Sequence, residues 1–279
     1  MKSFFQSTIT TIIILFLSIP TYAQEQATNS SSISSNSSTT LEQLQSDYFF
    51  QLEKYRKAEE VYNLDKAEYY KLDTLASKEK AVSSLKNLIV FRPLIYEIYL
   101  SALSTLVQPA QGIDIVQKQQ ALDIIETTKQ QLFQHRQTIP TLSERENVLA
   151  ESATFEQNLI YPINISIYKT LSLLSIGRVQ RAYDQLILHT NEFKNIYVEP
   201  IPDANKKAFI LRGLKDVDQQ NSLAKAAIDK ALLSYQQIND PKLSKNSLGI
   251  YTGVVKDLQP TYSAMKKSIR FLKELETQI

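Results

Sequence analysis

The sequence predicts an all-α protein: an elongated bundle of six to seven long helices with coiled-coil-like seams, preceded by a signal peptide and a disordered spacer. Three observations carry that expectation. Glycine occurs five times and proline nine times in 279 residues. Average usage of about 7% and 5% would give roughly 20 and 14 in a chain of this length, so turns are few and the elements between them long. Apolar residues recur three and four apart over most of the chain, the period of a single helical face. Finally, four tyrosines, Tyr48, Tyr55, Tyr62 and Tyr69, repeat at a strict spacing of seven within a run that has neither Gly nor Pro. Seven residues are two turns of a slightly under-wound helix, so these rings form one stripe facing a partner.

The first 23 residues are set aside as a signal peptide. Lys2 supplies the positive region, Ile9 to Ile19 the apolar one, Pro20 breaks it, and Thr21-Tyr22-Ala23 offers small residues for cleavage after Ala23. The rival reading, a retained anchor, meets an apolar run shorter than the roughly 20 residues a spanning helix needs. No cysteine follows, which excludes a lipoprotein anchor. Residues 24–40 are a Ser/Thr/Asn-rich spacer with nothing to bury, and a disordered segment is expected there. Sequons at Asn29, Asn36 and Asn164 matter only in a host that glycosylates. Residues 41–279 are expected to form one helical-bundle domain, which could subdivide near 198–203.

The first helix, about Thr40 to Thr74, carries the tyrosines at one heptad position and Leu44, Gln51, Ala58, Asp65 and Leu72 at the other. Tyrosine suits so polar a seam because its ring packs while its hydroxyl reaches an edge. Residues 76 to 107 are dense in Leu, Ile and Tyr and read as the most enclosed helix, with Pro93 expected to kink it or start a new one. Arg92, Pro93 and Glu97 interrupt its apolar run, so no membrane span is expected after signal cleavage. A third helix, about Asp114 to Arg136, presents Val116, Leu122, Ile125, Leu132 and Phe133.

Thr141-Leu142-Ser143-Glu144 fits a capping box for a fourth helix that reaches about Ile176 and bends at Pro162. Gly177 is expected to punctuate the boundary to a fifth helix ending near Tyr197. The string LLSIGRVQRAYDQL resembles one tetratricopeptide helix pair with Gly177 at its turn, although no second copy follows at the 34-residue period. After the loop at Glu199-Pro200-Ile201-Pro202, Asp203 caps a helix running to about Ile238. Its heptad reads Leu214, Asn221, Ile228 and Tyr235 against Val217, Ala224, Ala231 and Ile238, with Asn221 pinning register. Asn239-Asp240-Pro241 turns the chain into the last helix, about Ser244 to Thr277. Leu248, Tyr251, Val255, Leu258, Tyr262, Met265, Ile269 and Leu272 form its seam, Pro260 lies opposite, and Lys266, Lys267, Arg270 and Lys273 gather near its end.

Composition limits chemistry as well. The 31 basic and 29 acidic residues leave no field suited to nucleic acid or an anionic membrane. The absence of cysteine removes disulfides, thiolate metal sites and cysteine nucleophiles, and leaves the core alone to stabilise an exported chain. Neither His135 nor His189 belongs to a Glu-x-x-His or His-Glu-x-x-His pattern. Gly112, Gly177, Gly213, Gly249 and Gly253 never cluster into a phosphate-cradling loop or a nucleophile elbow. Glu59-Glu60 and Asp216-Asp218 lie on helix surfaces rather than in a cleft, unlike the acid/base pair of a glycosidase. No catalytic, cofactor-binding or metal-ligating residue is therefore expected, and the chain does not read as an enzyme.

The stretch TLASKEKAVSSLKNLIVFRPLIYEIYLSAL, the following Gly112-Ile113-Asp114 loop and the later TLSLLSIGRVQ resemble uncharacterised exported all-helical proteins of small-genome, uncultivated bacteria. The likeness covers about half of the mature chain and implies a bacterial, extracytoplasmic, helical protein, without implying a site. The expected function is a structural, scaffolding or protein-interaction role at the cell envelope, secreted or at the cell surface, with an envelope protein or another copy as partner. The alternative is a secreted solute- or glycan-binding module. Its candidate interaction surface is the ladder Tyr48, Tyr55, Tyr62 and Tyr69.

Overall fold

The computed structural model describes residues 40–239 and 244–278. The expected signal peptide, nearly all of the spacer, and Asp240-Pro241 of the expected turn lie outside the described residues. Six helices pack against one another. They are α1 (Leu41–Leu72), α2 (Leu75–Val107), α3 (Ile115–Thr138), α4 (Arg145–Val198), α5 (Ala204–Gln236) and α6 (Ser247–Glu276). Within α4, the turns Phe155–Leu159 and Lys194–Val198 are π-helical. Among the described residues there is no strand.

Local chemistry sets the boundaries. The Thr40 hydroxyl accepts the Gln43 amide at the start of α1, and Asp73 closes it in the left-handed region at φ 47°. One residue later Thr74 opens α2 with a reciprocal box. Its hydroxyl accepts the Ser77 amide at 3.2 Å, and the Ser77 hydroxyl accepts the Thr74 amide at 3.1 Å. The box expected at Thr141–Glu144 does not form. The 3₁₀ turn Ile139–Thr141 takes up Thr141, whose hydroxyl donates to the Thr138 carbonyl, and Glu144 caps the next helix without a side-chain bond.

Proline and glycine act differently from their usual reading. α2 continues through a buried Pro93 rather than starting again there. In α4 the π turn Phe155–Leu159 contains Asn158, the residue four before Pro162. That carbonyl is where a proline ring would crowd an ideal helix, and the wider turn accommodates it. Gly177 is no boundary, because α4 runs straight through it, which also removes the turn of a tetratricopeptide-like pair. Its role is close approach. A Cβ on Gly177 would strike the Ile113 side chain and sit 3.1 Å from the Gln111 carbonyl oxygen. A Cβ on Gly112, at φ +74°, would strike the Gly177 carbonyl and sit 2.8 Å from the Arg181 amide nitrogen. The two glycines let the α2–α3 loop lie directly on α4. That contact offsets the roughly 1 kcal/mol a helical glycine costs.

α4 is the spine of the molecule. Its first part shares a core with Tyr48 of α1, Tyr96 and Leu100 of α2 and Leu132 of α3. Its middle, Leu173, Ile176 and Val179, packs on Ile228 and Ala231 of α5 and on Val254 and Leu258 of α6. Its end, Phe193 and Val198, joins Ile210, Leu214 and Leu275. On α3 the buried line is Ala121, Ile125, Thr128, Leu132 and His135, so the expected Val116 and Phe133 lie outside it and are exposed. α2 and α4 each hold a window long and apolar enough to cross a membrane, by length and composition only; 50% and 61% of those windows are buried inside the bundle.

All eight seam residues expected of the helix that Asp203 caps are buried, seven on α5 and Ile238 in the 3₁₀ turn that follows it. On α6 the expected seam is rotated. Leu258 and Met265 are buried, but Leu248, Val255, Tyr262 and Ile269 are exposed, and Val254, Thr261, Ala264, Ser268 and Leu275 take the inward face. Small residues opposite Ala224 and Ala231 fit a close pairing of α5 and α6. Two of the inward hydroxyls are used: Thr261 donates to the Ala224 carbonyl at 3.4 Å and Ser268 to Asn221 Oδ1 at 2.7 Å.

Candidate functional site

The tyrosine ladder divides along its length. Tyr48 is 0% exposed and Tyr55 5%, so both belong to the core of this protomer. Tyr48 packs 6.1 Å from the Tyr99 ring. Burial pushes both hydroxyls above their ordinary pKa, although Arg56 opposes the effect at Tyr48 and Arg92 at Tyr55. Tyr62 and Tyr69 are half-buried. Together with Tyr70 they line a small cleft that also takes in Lys66 and Arg145. The Lys66 ammonium lies 5.7 Å from the Tyr62 ring centre and 5.9 Å from that of Tyr70, and the Arg145 guanidinium 5.9 Å from Tyr69.

Lys78, Val82 and Arg145 carry this cleft into a groove of about 740 Å³ between the start of α2 and the α3–α4 connection. Leu75, Val82, Val90, Ile139 and Pro140 give it apolar walls, and Glu79, Glu144 and Glu146 stand among its lysines. Lys86 is engaged: its ammonium donates to the carbonyls of Pro140 and Leu142, fixing the connection against α2. A hydrogen bond from its own backbone N–H holds the Glu146 carboxyl below the usual range, with Lys78 and Arg145 adding to the effect. Such walls fit an apolar or aromatic side chain with charges at its flanks.

α2, α3 and α4 are also joined by ion pairs that sequence reading missed. His135 Nδ1 is 2.6 Å from Glu151 Oε1, and the Thr138 hydroxyl donates to the same carboxylate at 3.1 Å. Arg92 reaches Ser152 and Glu156, both at 3.3 Å, and Arg136 grips Glu97 with two bonds of 3.1 Å. The His135 ring rests on Phe155 at 5.3 Å, on the first residue of the π turn. Burial pulls the His135 pKa below its ordinary value of 6.5 against the opposing pull of Glu151. Neither His135 nor Glu151 lines the groove or the cleft. The pairing joins residues of α3 to residues of α4 and leaves no short motif in the sequence.

No family model, curated protein or solved structure matches the chain. Function is therefore read from this molecule's own surfaces and charges. Among the described residues no group of three or more His, Asp or Glu side chains is placed to hold a metal ion. His189 is exposed and lies 3.0 Å from Glu192 one turn on, a surface pair rather than a site.

Proposed function

We propose that this chain is a non-enzymatic extracytoplasmic helical protein, exported by its N-terminal segment, with a scaffolding or protein-interaction role at the cell envelope. One contrast carries the reading. Its paired ionisable groups His135–Glu151, Arg136–Glu97 and Arg92–Glu156 are closed on one another across α2, α3 and α4, whereas the groove between α4 and α6 is lined mainly by apolar and aromatic side chains and the one beside α2 by apolar walls mixed with charged residues. Pairs closed on one another fix helices; open apolar walls accept a partner. The long apolar windows of α2 and α4 are read as core helices, since each contributes heavily to the interior.

The test places a photo-crosslinking residue at exposed Tyr70, beside the cleft, and a control at exposed Asn205. In the producing bacterium, the reading expects an extracytoplasmic product lacking residues 1–23 and a discrete protein adduct from position 70 alone. Retention in the cytoplasm, or equal labelling from both positions, would reject it.

A second reading, a glycan- or solute-binding module, is favoured by one feature, the cluster of Tyr62, Tyr69 and Tyr70 with Lys66 and Arg145. Titration with envelope oligosaccharides decides it. Saturable binding lost in Tyr70→Ala supports that module, and a flat titration removes it.

A further inference from the structure

The small cleft at the tyrosine end carries charge of one sign. Three helices meet there: the last turns of α1 supply Tyr62, Lys66, Tyr69 and Tyr70, the first turn of α2 supplies Lys78, and α4 begins with Arg145. Its other walls, Ala81, Val82, Leu85 and Leu149, are apolar, so every charged side chain lining the cleft is a cation. Lys66 falls four residues after Tyr62 and four before Tyr70, the spacing that brings side chains together on one helical face. Helix starts ordinarily carry acids, because the backbone N–H groups there already make a positive end. Lys78 and Arg145 add to that end instead, a local conflict of the kind that marks a site with another use.

The nearby carboxylates are committed elsewhere. Asp65 and Glu68 pair with Lys80 at 3.2 Å and 2.7 Å. Glu146 lines the neighbouring groove rather than the cleft, accepts from its own backbone N–H, and meets Arg145 only at 3.6 Å. That contact leaves guanidinium N–H groups over. Among the described residues no carboxylate makes a salt bridge with Lys66 or Lys78, and no hydrogen bond engages the hydroxyls of Tyr62, Tyr69 or Tyr70.

Size narrows the ligand further. The cleft has a volume of about 30 Å³, room for one small polar group rather than a whole ring. Through Lys78, Val82 and Arg145 it opens into the groove of about 740 Å³. There Leu75, Ile139 and Pro140 give apolar walls, Ser83 and Asn87 offer hydrogen bonds, and Glu79 and Glu144 repel further negative charge. The ligand that fits both spaces has a single anion at its end and an apolar, hydrogen-bonding body behind it.

We propose that the cleft takes the C-terminal carboxylate of a partner polypeptide onto Lys66, Lys78 and Arg145, with the partner's last apolar side chains in the adjoining groove. Capture of a chain-terminal carboxylate is a recurring mode of peptide recognition, and charge-assisted hydrogen bonds supply its strength. This inference rests on the interaction reading above and adds to it which part of the partner enters.

The test uses the full chain and a labelled pool of short peptides ending in Leu, Ile, Val or Phe, made both with a free C-terminal carboxylate and as the amide. An amidated pool with Glu as its last residue and a uronic-acid oligosaccharide complete the set. The proposal expects saturable binding of the free-acid pool, weakened by raised salt and about tenfold weaker for the amide. Lys78→Gln/Arg145→Gln should bind the acid about tenfold less tightly and the amide as the parent does. Lys71→Gln, at an exposed lysine outside the cleft, should leave both unchanged. Loss of fold would weaken both pools alike, so the acid–amide difference reads the cleft itself. Equal affinity for acid and amide, preference for the Glu pool, binding of the oligosaccharide without the peptides, or no binding at all would each overturn the proposal. So would an equal loss for both pools in the double variant and in Lys66→Gln. A crosslinked adduct from position 70 alongside any of these failures would leave the interaction reading standing without this partner chemistry, whereas the absence of an adduct would remove the reading itself.

Discussion

The N-terminal half of the bundle and the α5–α6 hairpin solve the same packing problem with opposite materials. Where α1 to α4 meet, the interior is built from large rings, Tyr48, Tyr96, Tyr99, Phe155 and Tyr168, and from ion pairs such as His135–Glu151. Between α5 and α6 it is built from Ala224, Ala231, Thr261, Ala264 and Ser268, with neutral hydrogen bonds from Ser268 to Asn221 and from Thr261 to the Ala224 carbonyl as its buried polar contacts. Large rings leave helices apart and fill the space between them; small residues draw helices together. The first arrangement is vulnerable to deletion and the second to insertion.

Deleting a ring should have the largest effect. Tyr48→Ala removes a side chain that is 0% exposed and leaves a cavity between α1, α2 and the tyrosines of α2 and α4. Losses of about 3–5 kcal/mol accompany comparable aromatic truncations. Urea unfolding should show the midpoint falling without a change in slope. A loss near zero would mean that α1 does not share the core. Insertion into the other half comes next. Ala231→Leu forces a larger side chain into a position with no exposure and should cost about 1–3 kcal/mol, whereas the same substitution at exposed Ala67 should be neutral. Equal tolerance at both sites would contradict close pairing of α5 and α6.

The same contrast explains what the sequence made legible. The heptad of α5 could be read in full because each seam position is apolar or, at Asn221, a recognisable register residue. α6 could not, because Thr261 and Ser268 do part of the work of its seam. Counting apolar residues shifted the seam onto the neighbouring face, where Leu248, Val255, Tyr262 and Ile269 are exposed. Gly177 misled for a related reason: a glycine at a close contact and one at a turn look alike until its neighbour, Gly112, is placed in space. At the tyrosine end the stripe was legible but its depth was not, since burial of Tyr48 and exposure of Tyr70 depend on where α2 and α4 stop covering α1. The groove beside Tyr69 combines residues 75–90 with 139–146, and no local pattern announces a surface made from two such distant stretches.

Acid should separate the two halves by pH window. His135 has a folded pKa below its ordinary 6.5, so below about pH 6.5 the unfolded chain takes up a proton that the folded chain resists. Stability in the first half therefore falls as pH drops from there, by at most about 1.4 kcal/mol per unit. Asp257 belongs to the α5–α6 hairpin. Burial alone would raise its pKa, but hydrogen bonds from Lys230 and Ser234 outweigh that and hold it below 3.8. Its contribution persists above 3.8 and is lost only as pH falls lower. Hydrogen exchange at pH 5.5 should accordingly quicken in α3 and early α4 before α5 and α6, and His135→Gln should flatten the difference. Uniform acceleration of all helices would show that the pair does not control that region.

The smallest effect tests the rotated seam of α6 most directly. If Val254 and Leu258 face α5 while Val255 faces water, then Leu258→Ala should cost about 2–5 kcal/mol and Val255→Ser should stay within about 0.5 kcal/mol of the parent. The two residues lie three apart on one helix, so helix propensity and sequence neighbourhood are nearly matched and the contrast isolates facing. If Val255→Ser proved as damaging as Leu258→Ala in the isolated monomer, α6 would be turned toward the seam its apolar spacing first suggested.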